Sequence, residues 1–187
     1  MAGKSLRKTI SGNSETFQSS SLQLLLIFSA GILAVWFHEA LRWPLNLPGR
    51  HGLELMAILL FVRMSAPQHY TATLAAMGGI SASLLFNDAP GVGNLILFAQ
   101  GLFIDSAHRL LKRHSLALWL MLVVTALAHM LKPMIKFGFQ SSMGIVSDSL
   151  SHGLLYPLIT HFSFGLIGGL AGFMAWRSLQ KNKYYQP

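Results

Sequence analysis

The chain has 187 residues, 52% of them hydrophobic and 11% charged, and a net charge of +8. Soluble domains carry about 25% charged residues, so this deficit, with a mean hydropathy of +0.50, excludes an ordinary soluble fold and implies a surface that faces lipid. The absence of cysteine excludes a disulfide framework, thiol catalysis and Cys-ligated metal.

Residues 1–20 are polar, Ser-rich and basic, and read as a disordered cytoplasmic tail. The uncharged run Leu22–Phe37 is longer than a signal-peptide core and precedes no clear cleavage site. It reads as a retained first span. Apolar runs place six spans near Leu22–Trp43, Gly52–Met64, His69–Phe86, Gly91–Leu111, Ser115–Lys136 and Gly153–Trp176. A spanning helix takes about 20 apolar residues, and the second run is short and carries Glu54 and Arg63. Backbone groups in lipid must be satisfied internally, so continuous runs become helices. The expectation is an all-α membrane protein. It is a single six-helix transmembrane bundle over residues 21–178, with a second cytoplasmic tail over 179–187.

Charge supports six spans. With both termini cytoplasmic, ten basic residues fall inside: Lys4, Arg7, Lys8, Arg63, Arg109, Lys112, Arg113, Arg177, Lys181 and Lys183. Four fall outside, namely Arg42, Arg50, Lys132 and Lys136, as the positive-inside rule requires. Without the second span, Arg109, Lys112 and Arg113 would lie outside. Basic residues at the ends of apolar runs serve topology, so the net charge does not imply a nucleic-acid partner.

The polar residues gather on the outer side. The first turnaround, Arg42 to Glu54, reads RWPLNLPGRHGLE. Pro44 and Pro48 oppose regular helix, while Gly49 and Gly52 permit tight turns. The stretch fits either a lid over a pocket or an anchored turn. Thr125, His129, Lys132 and Lys136 form one helical stripe, and His152, Tyr156 and Thr160, with Ser163 next, form another. Polar stripes at membrane depth usually face a bundle interior or a wet cavity. Each basic residue near a span end also fits simple snorkelling to the headgroups. Arg50, His51, Glu54, Asn94, His129, Lys132, His152 and Tyr156 are therefore the candidate ligand contacts. Asp105 and Arg109, four apart, fit an intrahelical ion pair.

Small residues recur four apart at Ala30–Ala34, Ala72–Ala76, Gly165–Gly169 and Gly168–Gly172. That spacing lets helix backbones approach, within the chain or against another membrane protein.

No enzymatic signature emerges. His38-Glu39 begins H-E-x-x-H but lacks the second histidine, the eight histidines show no ligand spacing, and no Walker A sequence occurs. We expect a non-enzyme that holds no metal and no cofactor.

Three segments resemble a family: Ala30-Gly-Ile-Leu-Ala34, Leu47-Pro-Gly-Arg-His-Gly52 and Gly101-Leu-Phe-Ile-Asp105, in that order. With the topology and length, the chain from Leu22 to about Arg177 resembles the substrate-binding S component of energy-coupling factor (ECF) transporters. The resemblance implies a multi-pass protein of the bacterial cytoplasmic membrane. It would capture a vitamin-like micronutrient from outside for an ABC-type importer. Its partners would be a transmembrane coupling protein and an ATPase pair, with Ala30 and Ala34 as the docking face. The Met-His N-terminus of nickel and cobalt relatives is absent, because the chain begins MAGK. The outer charges balance, with Arg42, Arg50, Lys132 and Lys136 against Glu39, Glu54, Asp88 and Asp148. The alternative reading is a scaffold protein of an envelope-assembly complex, and an intramembrane enzyme is the third.

Overall fold

A computed structural model describes residues 3–40, 47–86, 91–111, 117–144 and 153–183. Six α-helices lie among them: α1 (Gly3–Ala40), α2 (Gly52–Ser65), α3 (Thr71–Phe86), α4 (Val92–Leu111), α5 (Ala117–Ser142) and α6 (Leu155–Lys183). Three are long and apolar enough to cross a membrane, through Ser21–His38 of α1, Leu118–Ser142 of α5 and Leu155–Gln180 of α6. The molecule is a transmembrane protein. At 14 and 16 residues, α2 and α3 are shorter than the roughly 20 of a full crossing. The 20 residues of α4 include Asn94, Gln100, Asp105 and Arg109.

Two expected boundaries move. The segment read as a disordered tail is helical from Gly3, continuous with the first apolar run. No proline interrupts residues 3–40, and extending an existing helix is far cheaper than nucleating one. The end of α6 likewise runs to Lys183, into the stretch read as the second tail.

The helices pack in a closed circuit, α1 on α3, α3 on α4, α4 on α5, α5 on α6, α6 on α2, and α2 back on α1. The shortest helix is the innermost. Met56, Leu59 and Leu60 of α2 are all within 1% of full burial, and α2 also touches α3, α4 and α5. A short helix can be this central because it is covered by longer neighbours.

The close approaches are made by small residues. Gly31 lies against the Ala75 carbonyl and Gly78 against that of Phe28, which brings α1 onto α3. Gly168 and Gly172 lie against the carbonyls of Leu53 and Ala57, which brings α6 onto α2. A Cβ at any of the four would overlap its partner. Of the two readings of the glycine steps in α6, packing within the chain is the one the structure supports.

At one end of the circuit lies a buried ion pair. Arg63 of α2 and Asp105 of α4 are 3% and 2% exposed, and Arg63 Nη1 donates to Asp105 Oδ1 at 3.0 Å. The same guanidinium donates to the carbonyls of Gln68 at 2.6 Å and Ala66 at 2.7 Å, fastening the α2–α3 turn. Asp105 also accepts the backbone N–H groups of Ala72 (3.1 Å) and Thr73 (2.8 Å) and the Thr73 hydroxyl (2.7 Å). Those N–H groups belong to the first turn of α3, which has no donor-satisfying partner of its own, and the carboxylate also suits the positive end of the helix dipole. Gly101, one turn earlier in α4, lets α4 lie against Ala72 and Thr73. The expected Asp105–Arg109 pair does not form. Asp105 turns inward to a charge and three donors, while exposed Arg109 stands over the Tyr70 ring at 5.2 Å.

Removing one partner of a buried pair strands the other and costs about 3–5 kcal/mol. Asp105→Ala should therefore lower unfolding stability in detergent by that amount. Arg109→Gln, which removes only an exposed cation–π contact of about 0.5–1 kcal/mol, should leave the midpoint nearly unchanged.

Candidate functional site

At the opposite end of α2, the turn Pro48-Gly49-Arg50-His51 leads into the helix. Gly49 adopts φ 88°, in the left-handed region that favours glycine. Its carbonyl accepts the Gly52 N–H at 2.9 Å, and the Arg50 carbonyl accepts the Leu53 N–H at 3.1 Å. The turn rests on two histidines. His129 of α5 donates its Nε2–H to the Gly49 carbonyl at 3.0 Å. Gly49 covers the His161 ring of α6, where a Cβ would stand 2.9 Å from Cγ and Nδ1. Gly52 presses directly on the His129 imidazole. The two rings lie 4.7 Å apart, and His161 donates Nδ1–H to the Pro157 carbonyl at 2.7 Å.

Beside this plug is a cavity of about 210 Å³. Ligand pockets commonly span roughly 300–1,000 Å³, so this one suits a small molecule. Its apolar walls include Ala34, Leu55, Ile96 and Leu97. Its polar groups are His38, His51, Ser83, Asn94, Gln100, His129 and Lys132. Helical spacing explains the convergence. Ala34 and His38 share a face of α1, as do Leu97 and Gln100 of α4 and His129 and Lys132 of α5. Pro133, inside α5, has no N–H to return to the His129 carbonyl four residues earlier. The helix is thus locally freed where these two side chains enter the site.

Two polar atoms in the cavity wall have no partner in the protein. Gln100 and His129 are each 1% exposed, yet Gln100 Nε2 and His129 Nδ1 make no hydrogen bond. Because His129 Nε2–H is committed to Gly49, the neutral ring presents Nδ1 as an acceptor. His38 and His51 meet edge to face, with centroids 4.0 Å apart. In the turn, burial first, then the charges of His38 and Lys132, push the His51 imidazole down to about 4. At neutral pH His51 is thus a neutral hydrogen-bonding group. Among the described residues, no group of three or more His, Asp or Glu is placed to hold a metal.

Comparison with protein-family models, curated proteins and solved structures finds no match.

Of the candidate contacts, His51, Asn94, His129 and Lys132 are brought to the cavity. Arg50 stays in the turn and Glu54 in the first turn of α2, neither lining the cavity. Tyr156 is 49% exposed at the start of α6, and His152 lies outside the described residues. Among the described members of the second polar stripe, Tyr156 and Ser163 are exposed and Thr160 is half-buried. Thr160 and Ser163 satisfy their hydroxyls on their own helix, at the carbonyls of Tyr156 and Ile159. The inward face of α6 is instead Pro157, His161, Gly165 and Gly169, all buried. The expected docking pair lies on an inward face in this chain. Ala34 is 1% exposed in the cavity wall, and Ala30 is partly buried against the core. Both follow from α1 packing on α3, which turns that face inward.

His38, Gln100 and His161 were not among the candidates. Gln100 carried a signal, a polar residue on the same apolar face as Ile96, Leu97 and Ile104. His161 had none, because only the glycine-lined contact of α6 with α2 and α5 turns it inward.

The tight seat of the turn gives a direct test. Gly52→Ala should destabilise by about 1–3 kcal/mol through overlap with the His129 ring. Adding His129→Ala, which vacates that space, should make the double variant less destabilised than the two single losses summed, as read from thermal midpoints.

Proposed function

We propose that the protein is the substrate-capture subunit of an ECF-type importer in a bacterial cytoplasmic membrane, a six-helix transmembrane bundle with both termini cytoplasmic. It binds a small vitamin-like micronutrient in a pocket that opens outward, and a coupling protein with an ATPase pair drives release. It does no covalent chemistry on its ligand. The observation that carries this reading is the cavity itself. Buried polar atoms are normally satisfied, and here two residues that line one space, Gln100 and His129, each carry a buried nitrogen without a protein partner. A purely structural protein has no need of such a space, whereas a carrier needs groups that a ligand completes. The positive-inside count places this end outside. By the same rule the Arg63–Asp105 end, with Arg109, would be at the cytoplasmic face. Transport then follows from different ligand affinity in outward and inward states, with the difference supplied by the partner ATPases.

Purification with native membrane partners tests the reading. The expected result is a transmembrane coupling protein, an ATPase pair and a retained small molecule. Recovery of envelope-assembly proteins with no small molecule would overturn it in favour of a scaffold. Ala34→Trp, which fills the cavity from α1, should abolish retention of the small molecule without removing the protein from the membrane.

A further inference from the structure

The geometry points to a small organic carboxylate bearing a nearby O–H or N–H group as the ligand of the cavity, an inference that rests on the capture reading above. Its basis is the balance of donors, acceptors and charge on the wall. Lys132 lines the cavity, and its ammonium has three donors and no acceptor. Gln100 Nε2 adds an amide donor that is buried and unpartnered. Both call for acceptor atoms on the ligand, and a carboxylate offers two oxygens with about four acceptor positions. No Asp or Glu is among the described residues lining the cavity. Among the described wall residues, a cationic ligand would therefore meet Lys132 with no counter-charge. A neutral ligand would leave the ammonium uncompensated in a site walled by Leu55, Ile96 and Leu97, where unpaired charge is costly. The anion completes the pair.

The third requirement comes from His129. With Nε2–H held by the Gly49 carbonyl, His129, which lines the cavity, keeps Nδ1 as a buried acceptor without a protein partner. A ligand hydroxyl or amine N–H supplies the missing donor. The turn thereby sets specificity at a distance, because the Gly49 carbonyl fixes the tautomer of the ring that reads the ligand. The cavity of about 210 Å³ suits a small ligand.

The test uses the purified full-length protein in detergent and a panel of small hydroxy-carboxylates. Each is matched to its amide and its amine, as in 3-hydroxybenzoate, 3-hydroxybenzamide and 3-hydroxybenzylamine. Thermal shift and direct binding are the readouts. At least one carboxylate is expected to bind at least tenfold more tightly than its amide, with the amine weakest. Lys132→Gln and Gln100→Leu should each weaken that carboxylate tenfold or more. Glu54→Gln, off the cavity, should not. The inference is overturned if no carboxylate in the panel binds, if an amine or amide binds more tightly than its carboxylate, or if Lys132→Gln leaves carboxylate affinity unchanged. Uptake assays separate the two levels. Carboxylate binding by a protein that supports no uptake would overturn the transport reading and leave this one standing, whereas uptake of an amine would do the reverse.

Discussion

The Arg63–Asp105 pair is the constraint on which the arrangement of α2, α3 and α4 depends. One carboxylate neutralises a buried guanidinium and satisfies the first N–H groups of α3, while the guanidinium holds two carbonyls of the α2–α3 turn. In a low-dielectric interior neither charge is tolerated alone. The two therefore fix where α2 ends, where α3 begins and how α4 lies across both. A buried pair is weak evidence for net stability, since an apolar replacement of the same shape can serve as well. Its value here is in register, because this placement of the three helices brings these donors to their acceptors.

From that fixed end the small residues set the spacing. Gly31, Gly78, Gly168 and Gly172 allow α1 to touch α3 and α6 to touch α2 at the level of backbone carbonyls. Between helices in lipid there is little hydrophobic driving force, so packing depends on such contacts. The circuit closes tightly along most of α2. At the other end it loosens into the cavity, where side chains of α1, α3, α4 and α5 face a common space beside the turn.

The turn before α2 joins the two themes. Gly49 and Gly52 let the chain lie directly on His129 and His161, and the Gly49 carbonyl orients the His129 ring. The segment is at once a plug packed on two helices and the element whose carbonyl takes the Nε2–H of His129. Its residues gain their meaning from contacts distant in sequence, with His129 of α5, 80 positions further along the chain, and with His161 of α6.

The sequence by itself determined the membrane class, the helical class, the start of α2 at Gly52 and the stripe that brings His129 and Lys132 inward. Each of these rests on local physics: apolar length, backbone satisfaction in lipid, glycine and proline at a turn, and the 3.6-residue period. The partner of Asp105, the inward placement of Ala34 and the burial of His161 were decided only by the tertiary structure. Helical spacing offers Asp105 a neighbour at Arg109, but it cannot weigh that exposed option against a buried cation 42 residues away. It also shows that Ala30–Ala34 and the α6 glycines are faces for close contact without saying which helix will meet them. Those choices belong to the pairing of helices, which depends on all the faces at once. The site is legible only where a polar residue already sits on a face that the helices turn inward.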